Sequence, residues 1–464
     1  MASDMPFLTI TEVAKGLRKR EFSPVELTQA CLDRIHALDG KVNSFITVTE
    51  HLALGQAMQA EKAMRAGQDL GPLHGIPIAL KDLYTTKDIR TTAHSRVLLD
   101  WFPTEDATTT ALLREAGTVL LGKLAMHEFA FGVPGFDTPF PPARNPWDLE
   151  HVTGGSSSGS GAALAAGFCY GALGSDTGGS IRSPAALCGI VGIKPTYGRV
   201  SRAGVVPLSW SLDHAGPMAR NVEDCAILLQ AIAGYDPKDA ASANVAVPDY
   251  SADLRRGVQG LRIGVPREWF SEGSGTNIEV MTAFDAAIGM LESLGGKAIA
   301  VESAPFVNAR AANTLILIAE AYAYHEQTLR TRAQDLSAGV RNRVREGAFV
   351  SAADYVDCQR ARSMISSQVA AILNEVDVIV SPSAPQPAEA FDKQDPDARY
   401  KMPSYTNPFN LTGLPAISLP CGFSAAGLPI GLQIAGRAFE ESTVLRAAQA
   451  YESATDWHLR HPSL

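Results

Sequence analysis

The sequence predicts an α/β fold, and two observations support this prediction. Helix-like and strand-like segments alternate: residues 106–115 have helical character and lead directly into an apolar strand-like run at 118–122, and similar alternation returns after residue 260. The chain has 464 residues, 46% of them hydrophobic and 19% charged, which is ordinary for a globular protein with a sizeable core. Alternating elements of this kind pack as layers of helices against a sheet.

Two capping-box patterns open the chain, Thr9–Glu12 and Ser23–Glu26. Apolar residues recur at helical spacing after the second box, and Gly40 is expected to end that helix. Residues 49–67 have the pattern of a further helix. We expect these helices to pack on the body of the protein and to have no catalytic role.

The next segment, residues 73–82, has the pattern of a strand. Ile76, Ile78 and Leu80 alternate with other residues, and Lys81 and Asp82 end the run. A lysine that directly follows a buried strand must be solvated, paired or neutral. Two alternatives therefore stay open: the Lys81 amine extends to solvent at the strand end, or burial makes it a neutral base.

Residues 126–142 interleave four phenylalanines with four prolines and cannot form a long helix. Such a stiff aromatic loop either lines a pocket for an apolar acyl or aryl group or packs its own phenylalanine rings. The spacing alone does not decide between these two roles.

The most distinctive stretch, residues 152–194, contains two Gly-Gly-Ser sequences that end at Ser156 and Ser180. A short helix at 161–167 and a strand at 170–175 are predicted between them. Glycine pairs let successive N–H groups converge on one point, and a serine beside such a nest suits acyl transfer. A flexible Gly/Ser linker is the alternative.

The remaining chain continues the α/β pattern, with a polar stretch at 234–254 as a candidate boundary and a helix-rich lobe expected at about 237–400. Residues 213–218 are expected to form an irregular turn. The other predicted elements are helices at 222–233, 277–294 and 441–451 and strands at 260–266, 376–380, 414–420 and 430–435.

Composition excludes several functional classes. The net charge of −9 and the isoelectric point near 5.6 argue against nucleic acid or an anionic membrane as partner. The six cysteines are scattered and predicted to be free buried thiols. Without a signal-like N-terminus or a long apolar run, we expect a cytoplasmic protein with no membrane span. The sequence contains no H-E-x-x-H, no G-x-x-x-x-G-K-[ST] and no G-x-G-x-x-G after a strand.

Three kinds of chemistry compete for the glycine-rich stretch. Gly155–Gly159 formally fits the G-x-S-x-G nucleophile elbow, but the preceding residues 145–152 look rich in turns rather than like the strand an elbow needs. The second kind, phosphate binding, requires a glycine spacing that this stretch does not have. A serine nucleophile activated by lysine is the third alternative. The histidines, among them His127 and His214, show no distinctive pairing with a carboxylate and are interpreted as structural or surface residues.

The motifs, in this order and spacing, resemble those of the amidase signature family. That family has a large mixed β-sheet core covered by helices on both faces, and the resemblance implies one domain over residues 1–464 with its signature core at about 70–220. The matching segments are Gly75–Asp82, Gly154–Gly159, Gly174–Arg182 and Gly192–Arg199, with a weaker match at Asn410–Ile417.

The resemblance also implies site residues. Ser180 matches the family's nucleophile, Ser156 the bridging serine on a cis peptide, and Lys81 the base. The family's oxyanion hole corresponds to the backbone N–H groups of Thr177, Gly178, Gly179 and Ser180. Ala130, Phe131 and Gly132 are expected to contact substrate, and Asp176 and Arg182 to hold the loop, with a plain surface salt bridge as the alternative for that pair.

The function implied is hydrolysis of a carboxamide C–N bond through an acyl-enzyme, without metal or cofactor. We expect a small apolar or aryl amide because of the aromatic loop. Carbamates share the carbonyl geometry of amides and are expected as further substrates, together with esters. The alternative within the family is the glutamine-using amidotransferase component of tRNA-dependent amidation, which works with a protein partner. A catalytically inactive scaffold is the alternative outside enzymes, and a homodimer is a candidate assembly.

Overall fold

The computed structural model describes residues 5–271, 274–394 and 404–464. Its centre is an eleven-stranded sheet, and a separate two-stranded sheet joins β4 and β5. The strands are β1 (Phe45–Val48), β2 (Pro77–Lys81), β3 (Val119–Leu124), β4 (Arg144–Asn145), β5 (Asp148–Val152), β6 (Gly171–Asp176), β7 (Val191–Lys194), β8 (His214–Ala219), β9 (Arg262–Val265), β10 (Lys297–Ala300), β11 (Val378–Pro382), β12 (Ala416–Phe423) and β13 (Pro429–Gly436).

Helices flank this sheet. They are α1 (Ile10–Lys19), α2 (Pro24–Val42), α3 (Glu50–Arg65), α4 (Thr108–Glu115), α5 (Ser158–Ala165), α6 (Arg182–Cys188), α7 (Val222–Ile232), α8 (Ile278–Ser293), α9 (Ala304–Thr331), α10 (Ala338–Glu346), α11 (Ala352–Glu375), α12 (Asn407–Leu411) and α13 (Glu441–Ser453). Within the described residues, no helix combines the length and apolar character needed to cross a bilayer.

The large sheet is mixed, as the predicted fold class requires. Its strands lie in the order β1-β3-β2-β6-β8-β7-β12-β13-β11-β9-β10. Strand β2 is parallel to both of its neighbours, β3 and β6. The strands from β6 to β11 pair antiparallel, and β11, β9 and β10 are parallel again. The α/β prediction is therefore confirmed.

The pairing of β2 with β6 positions the site. The two strands are parallel, with Leu80 opposite Leu173, and both are buried along their whole length. The carboxyl ends of parallel neighbours meet at one edge of a sheet. Lys81, the last residue of β2, therefore lies beside Ser175 and Asp176, the last residues of β6.

Both predicted capping boxes are confirmed. In each, the side chain of Thr9 or Ser23 accepts a hydrogen bond from the backbone three residues on, and a glutamate reaches back. The expected stop at Gly40 is wrong, because α2 continues to Val42 and ends at Asn43, which has φ +56°. An interior glycine costs a helix only about 1 kcal/mol, and asparagine tolerates the left-handed region that ends it.

Two segments predicted as turns form strands. Residues 213–218 were expected to be irregular, but His214–Ala219 is a fully buried strand in the middle of the sheet. Gly216 packs so closely that a Cβ there would lie 2.4 Å from the Ile193 carbonyl oxygen. Such close packing needs small residues, which erase the alternation that marks a strand. The approach at 145–152 likewise contains β5, which pairs with β4 and forms one bridge, from His151 to Ala390.

The range 237–400 supplies strands β9, β10 and β11 to the large sheet as well as helices α8 to α11. The division of the chain into a signature core and a helix-rich lobe stays a prediction. All six cysteines are free and buried, as expected from their scattered positions.

Candidate active site

Lys81 is fully buried at the end of β2, and three hydroxyls surround its amine. Its Nζ lies 2.8 Å from Ser156 Oγ, 2.8 Å from Ser175 Oγ and 3.0 Å from Ser157 Oγ. The amine does not extend to solvent, since Lys81 has no exposed surface. This removes the alternative of a solvated strand-end lysine.

Burial sets the protonation of this amine. Loss of hydration lowers the pKa of Lys81 to about 7, although the charges of Asp176 and Asp213 act in the opposite direction. Among the described residues, the hydrogen-bond partners of the amine are hydroxyls, and no carboxylate forms an ion pair with it. A substantial neutral fraction is therefore present near neutral pH, and a neutral amine can accept a proton from a hydroxyl.

Ser156 lies in the turn between β5 and α5. The Gly155–Ser156 peptide bond is cis. Gly155 packs directly onto the His127 imidazole, whose Cε1 would lie only 2.0 Å from a Cβ at this position. A side chain at position 155 would therefore displace the turn that carries Ser156.

Ser180 lies in the loop between β6 and α6. Ser156 and Ser180 line the same cavity, of about 380 Å³. Within the described part of the chain, the Ser180 hydroxyl forms no hydrogen bond with another residue, while the Ser157 N–H donates to the Ser180 carbonyl oxygen at 3.2 Å. The two serine hydroxyls thus share one cavity, and that of Ser180 is unoccupied by protein partners.

The Asp176 carboxylate organises the loop that carries Ser180. It accepts hydrogen bonds from the N–H groups of Gly179 (2.7 Å) and Ile181 (3.1 Å), from Arg182 Nε and Nη2 (both 2.9 Å), and from Asn410 Nδ2 (2.8 Å). Asp176 and Arg182 are completely buried, so this is not a surface salt bridge. Burial opposes ionisation, but the charge and hydrogen bonds of Arg182 outweigh it and hold the pKa of Asp176 well below its usual range.

The four predicted oxyanion-hole donors differ in availability. The N–H of Gly179 is occupied, because it donates to Asp176. The N–H groups of Thr177, Gly178 and Ser180 have no hydrogen-bond acceptor among the described residues. Gly179 itself has φ +129°, and a Cβ there would lie 2.3 Å from the Thr406 hydroxyl. Three unpartnered donors therefore remain beside the cavity.

The aromatic loop combines both roles that the sequence left open. Ala130, Phe131 and Gly132 line the cavity, and the Arg343 guanidinium lies 4.1 Å above the centre of the Phe131 ring. Phe129, in contrast, is buried and packs its ring against His325, 4.4 Å between centroids.

The far wall of the cavity comes from residues that sequence reasoning did not select. Helix α9 contributes Arg310, Asn313 and Thr314, and the segment after β11 contributes Gln386 and Glu389. These residues lie more than 120 positions from Ser180, and no motif marks them. The same two segments also contribute Leu317 and Pro385, so this wall combines polar and apolar groups.

Burial favours the neutral form of two histidines beside the site, His127 and His214. Burial lowers the pKa of His127 to about 3, and its Nδ1 lies 3.0 Å from the Gly132 carbonyl oxygen. Burial also lowers the pKa of His214 well below its ordinary value. In the described ranges, no group of three or more His, Cys, Asp or Glu side chains is arranged to hold a metal ion.

The chain is similar to known proteins over nearly its whole length. The chain is 44% identical to the A subunit of the glutamyl-tRNA(Gln) amidotransferase of Moorella thermoacetica, over 99% of both chains. The solved structure of the corresponding Thermotoga maritima protein has a TM-score of 0.83 and 39% identity, covering 97% of this chain and 95% of that one. A structure described as a vestigial protein complex that reveals the origins of an s-triazine catabolic enzyme has a TM-score of 0.90 and 33% identity, covering 96% and 98%.

A family model described as Amidase matches residues 26–445, nearly the whole chain. All the segments that carried the resemblance in the sequence, and all the site residues described above, lie within this range. With a full-length match to the family and to relatives above 30% identity, the chain belongs to the amidase family, whose amidase signature enzymes act on C–N bonds.

Proposed function

We propose that this chain releases ammonia from the side-chain carboxamide of glutamine, as the amide-cleaving subunit of a tRNA-dependent amidotransferase. The observation that carries the proposal is the Lys81 amine, buried beneath the Ser156 hydroxyl at the base of the cavity that Ser180 lines. The 44% identity to amidotransferase A subunits over the full chain supports glutamine as the amide.

The proposed cycle uses three side chains. Neutral Lys81 accepts the Ser156 hydroxyl proton as Ser156 accepts that of Ser180, and Ser180 Oγ forms a bond to the amide carbon. The tetrahedral intermediate collapses, the C–N bond breaks, and the proton passes from Lys81 through Ser156 to the departing nitrogen, which leaves as ammonia. Water then adds to the acyl-enzyme, and the Ser180–acyl bond breaks to release the acid and restore the free hydroxyl.

The backbone N–H groups of Thr177, Gly178 and Ser180 are proposed to stabilise the oxyanion of each tetrahedral intermediate. Losing one such donor costs about 2.7–4 kcal/mol of transition-state stabilisation in comparable sites. Asp176 and Arg182 act as positioning residues in this proposal, because their buried contacts shape the loop without touching the reacting atoms.

A protein partner belongs to the proposal. The relatives at 44% identity are named as subunits, so we propose that this chain works beside at least one other subunit, which consumes the ammonia. The predicted homodimer stays a further prediction.

One observation favours a second candidate, a hydrolase of a small amide in which ammonia is not passed on. A solved structure described as a native peptide amidase from Stenotrophomonas maltophilia has a TM-score of 0.86 and 31% identity, covering 98% of both chains, which supports such a hydrolase. Because the aromatic residue Phe131 lines the cavity, aryl amides and carbamates are also tested as substrates.

The test is ammonia release from L-glutamine by the full chain, alone and mixed with the other subunits of a related amidotransferase, against short aliphatic amides, aryl amides, carbamates and esters. We expect glutamine to be the best substrate and Ser180→Ala to be inactive. If glutamine is turned over more slowly than a simple aliphatic amide under both conditions, the amidotransferase function is rejected and the hydrolase function is supported. Wild-type turnover in Ser180→Ala would refute both.

A further inference from the structure

One face of α9 forms part of the cavity wall. Arg310, Asn313, Thr314 and Leu317 all line the cavity, and their spacing of three, four and seven residues places them on the same side of the helix. Arg310 is the cationic member of this face. The side chain thus reaches the cavity from a long, regular helix.

The Arg310 guanidinium has hydrogen-bond donors that a ligand could use. Its Nη2 is buried without a hydrogen-bond partner, and in the described part of the chain no carboxylate forms an ion pair with it. Arginine stays charged in proteins and offers five N–H donors in a fixed plane. A buried donor of this kind costs free energy unless something accepts its hydrogen bonds.

The other charged side chains of the cavity are engaged. The Glu389 carboxylate accepts hydrogen bonds from the side-chain amides of Gln386 and Gln394, the latter at 2.7 Å. Arg343 lies over the Phe131 ring. Among the described residues, the Arg310 guanidinium has neither a carboxylate partner nor an aromatic ring beneath it, and it lines the cavity.

We propose that Arg310 binds a carboxylate of the substrate, so that this enzyme acts on amides that also carry a carboxylate. The assumption that the carboxamide of this substrate is the group that reacts rests on the proposed function. A carboxylate accepts two parallel N–H···O bonds from one guanidinium, which fixes orientation as well as adding affinity. Glutamine belongs to this class, whereas neutral aryl and aliphatic amides do not.

The first test compares two substrates that differ only in their terminal group. Succinamate carries a carboxylate where butyramide has a methyl group. We expect wild-type kcat/KM to favour succinamate, and Arg310→Met to reduce that preference about 10- to 100-fold, the range for a hydrogen bond to a charged group. Arg345→Met, an exposed arginine of α10 that does not line the cavity, is the matched control and should keep the preference.

The second test does not need turnover. We expect the Ser180→Ala chain to bind succinamate in a calorimetric titration, and Ser180→Ala/Arg310→Met to bind it about 10- to 100-fold more weakly. Circular dichroism checks that both variants are folded. Arg310→Lys in the Ser180→Ala chain keeps the charge but cannot donate two parallel hydrogen bonds, so its affinity for succinamate should lie between those of the other two chains.

The outcomes separate the two proposals. Binding that depends on Arg310, in a wild-type chain that hydrolyses no amide, would support the carboxylate site and overturn the role of Ser180. Equal affinity of the two Ser180→Ala chains for succinamate, or an unchanged preference in Arg310→Met, would overturn the carboxylate site and leave the acyl-enzyme chemistry in place.

Discussion

Replacing Lys81 by methionine should change both the pH dependence of stability and the rate. The pKa of this lysine falls from 10.5 in the unfolded chain to about 7 in the native protein, because burial removes the hydration of its charge. Between these two values the unfolded chain binds more protons than the native one. Wild-type stability therefore rises with pH across this window, and the gain is lost as the pH falls towards 7.

The size of this effect follows from the shift. Each unit of pKa difference corresponds to about 1.4 kcal/mol, and Lys81 is completely buried, so no correction for solvent screening applies. Integrated from pH 7 to pH 9, the contribution is about 2 kcal/mol. Lys81→Met lacks it, whereas all other titrating groups are common to both chains and cancel in the difference.

The assay is denaturant unfolding of wild type and Lys81→Met at pH 7, 8 and 9, with Lys62→Met, an exposed lysine of α3, as the control. We expect the stability difference between wild type and Lys81→Met to grow by about 2 kcal/mol in favour of wild type over this range. The control should show no such growth.

The same variant tests the chemistry. Loss of a general base costs about 10²–10⁴-fold in rate, so kcat/KM of Lys81→Met should fall by at least the lower figure. In wild type, kcat/KM should rise with pH through an apparent pKa near 7, as the neutral amine accumulates. A stability difference that does not change with pH, together with a rate profile that still rises above pH 9, would refute a neutral Lys81.

Three further predictions concern the loop around Ser180. Ser180→Ala should lose labelling by a fluorophosphonate and keep the wild-type circular dichroism spectrum; undiminished labelling of this variant would assign the nucleophile elsewhere. Asp176→Asn should lower the free energy of unfolding by about 3–5 kcal/mol, because it leaves the buried Arg182 charge without its carboxylate, and calorimetry would measure it; a loss below about 1 kcal/mol, the level of a surface pair, would contradict this. Gly179→Ala should destabilise by more than about 1 kcal/mol, because of its positive φ and the lack of space for a Cβ. Gly289→Ala, in the exposed interior of α8 with no neighbour near its Cβ position, should instead stabilise by about 0.5–1 kcal/mol; the same sign for both glycine variants would be inconsistent with the packing described here.

The sequence predicted the layered α/β organisation because local signals mark most of its elements. The capping boxes at Thr9 and Ser23 begin α1 and α2 where expected. Strand β2 is a largely apolar run, and β6 lies between the two Gly-Gly-Ser sequences, where a strand was predicted. The sequence did not predict strand β8, because small residues at the close contacts with neighbouring strands remove the alternating apolar pattern.

Some residues of the candidate site could likewise be predicted from local patterns, and others could not. Lys81, Ser156 and Ser180 could be selected because each follows a recognisable local pattern. The hydroxyls of Ser157 and Ser175 around the Lys81 amine could not, since serine carries no signal of its own and their partner lies on another strand.

By itself, the sequence determined the fold class, the family and the glycine-rich loop, because these depend on residues that are neighbours along the chain. Only the tertiary structure decided the state of the Lys81 amine and the character of the cavity wall. Both depend on residues brought together from distant segments: burial at the junction of β2 and β6 lowers the lysine pKa, and the packing of α9 against the loop brings Arg310 to the cavity. Hydration and charge pairing are set by such distant neighbours, and no local pattern encodes them.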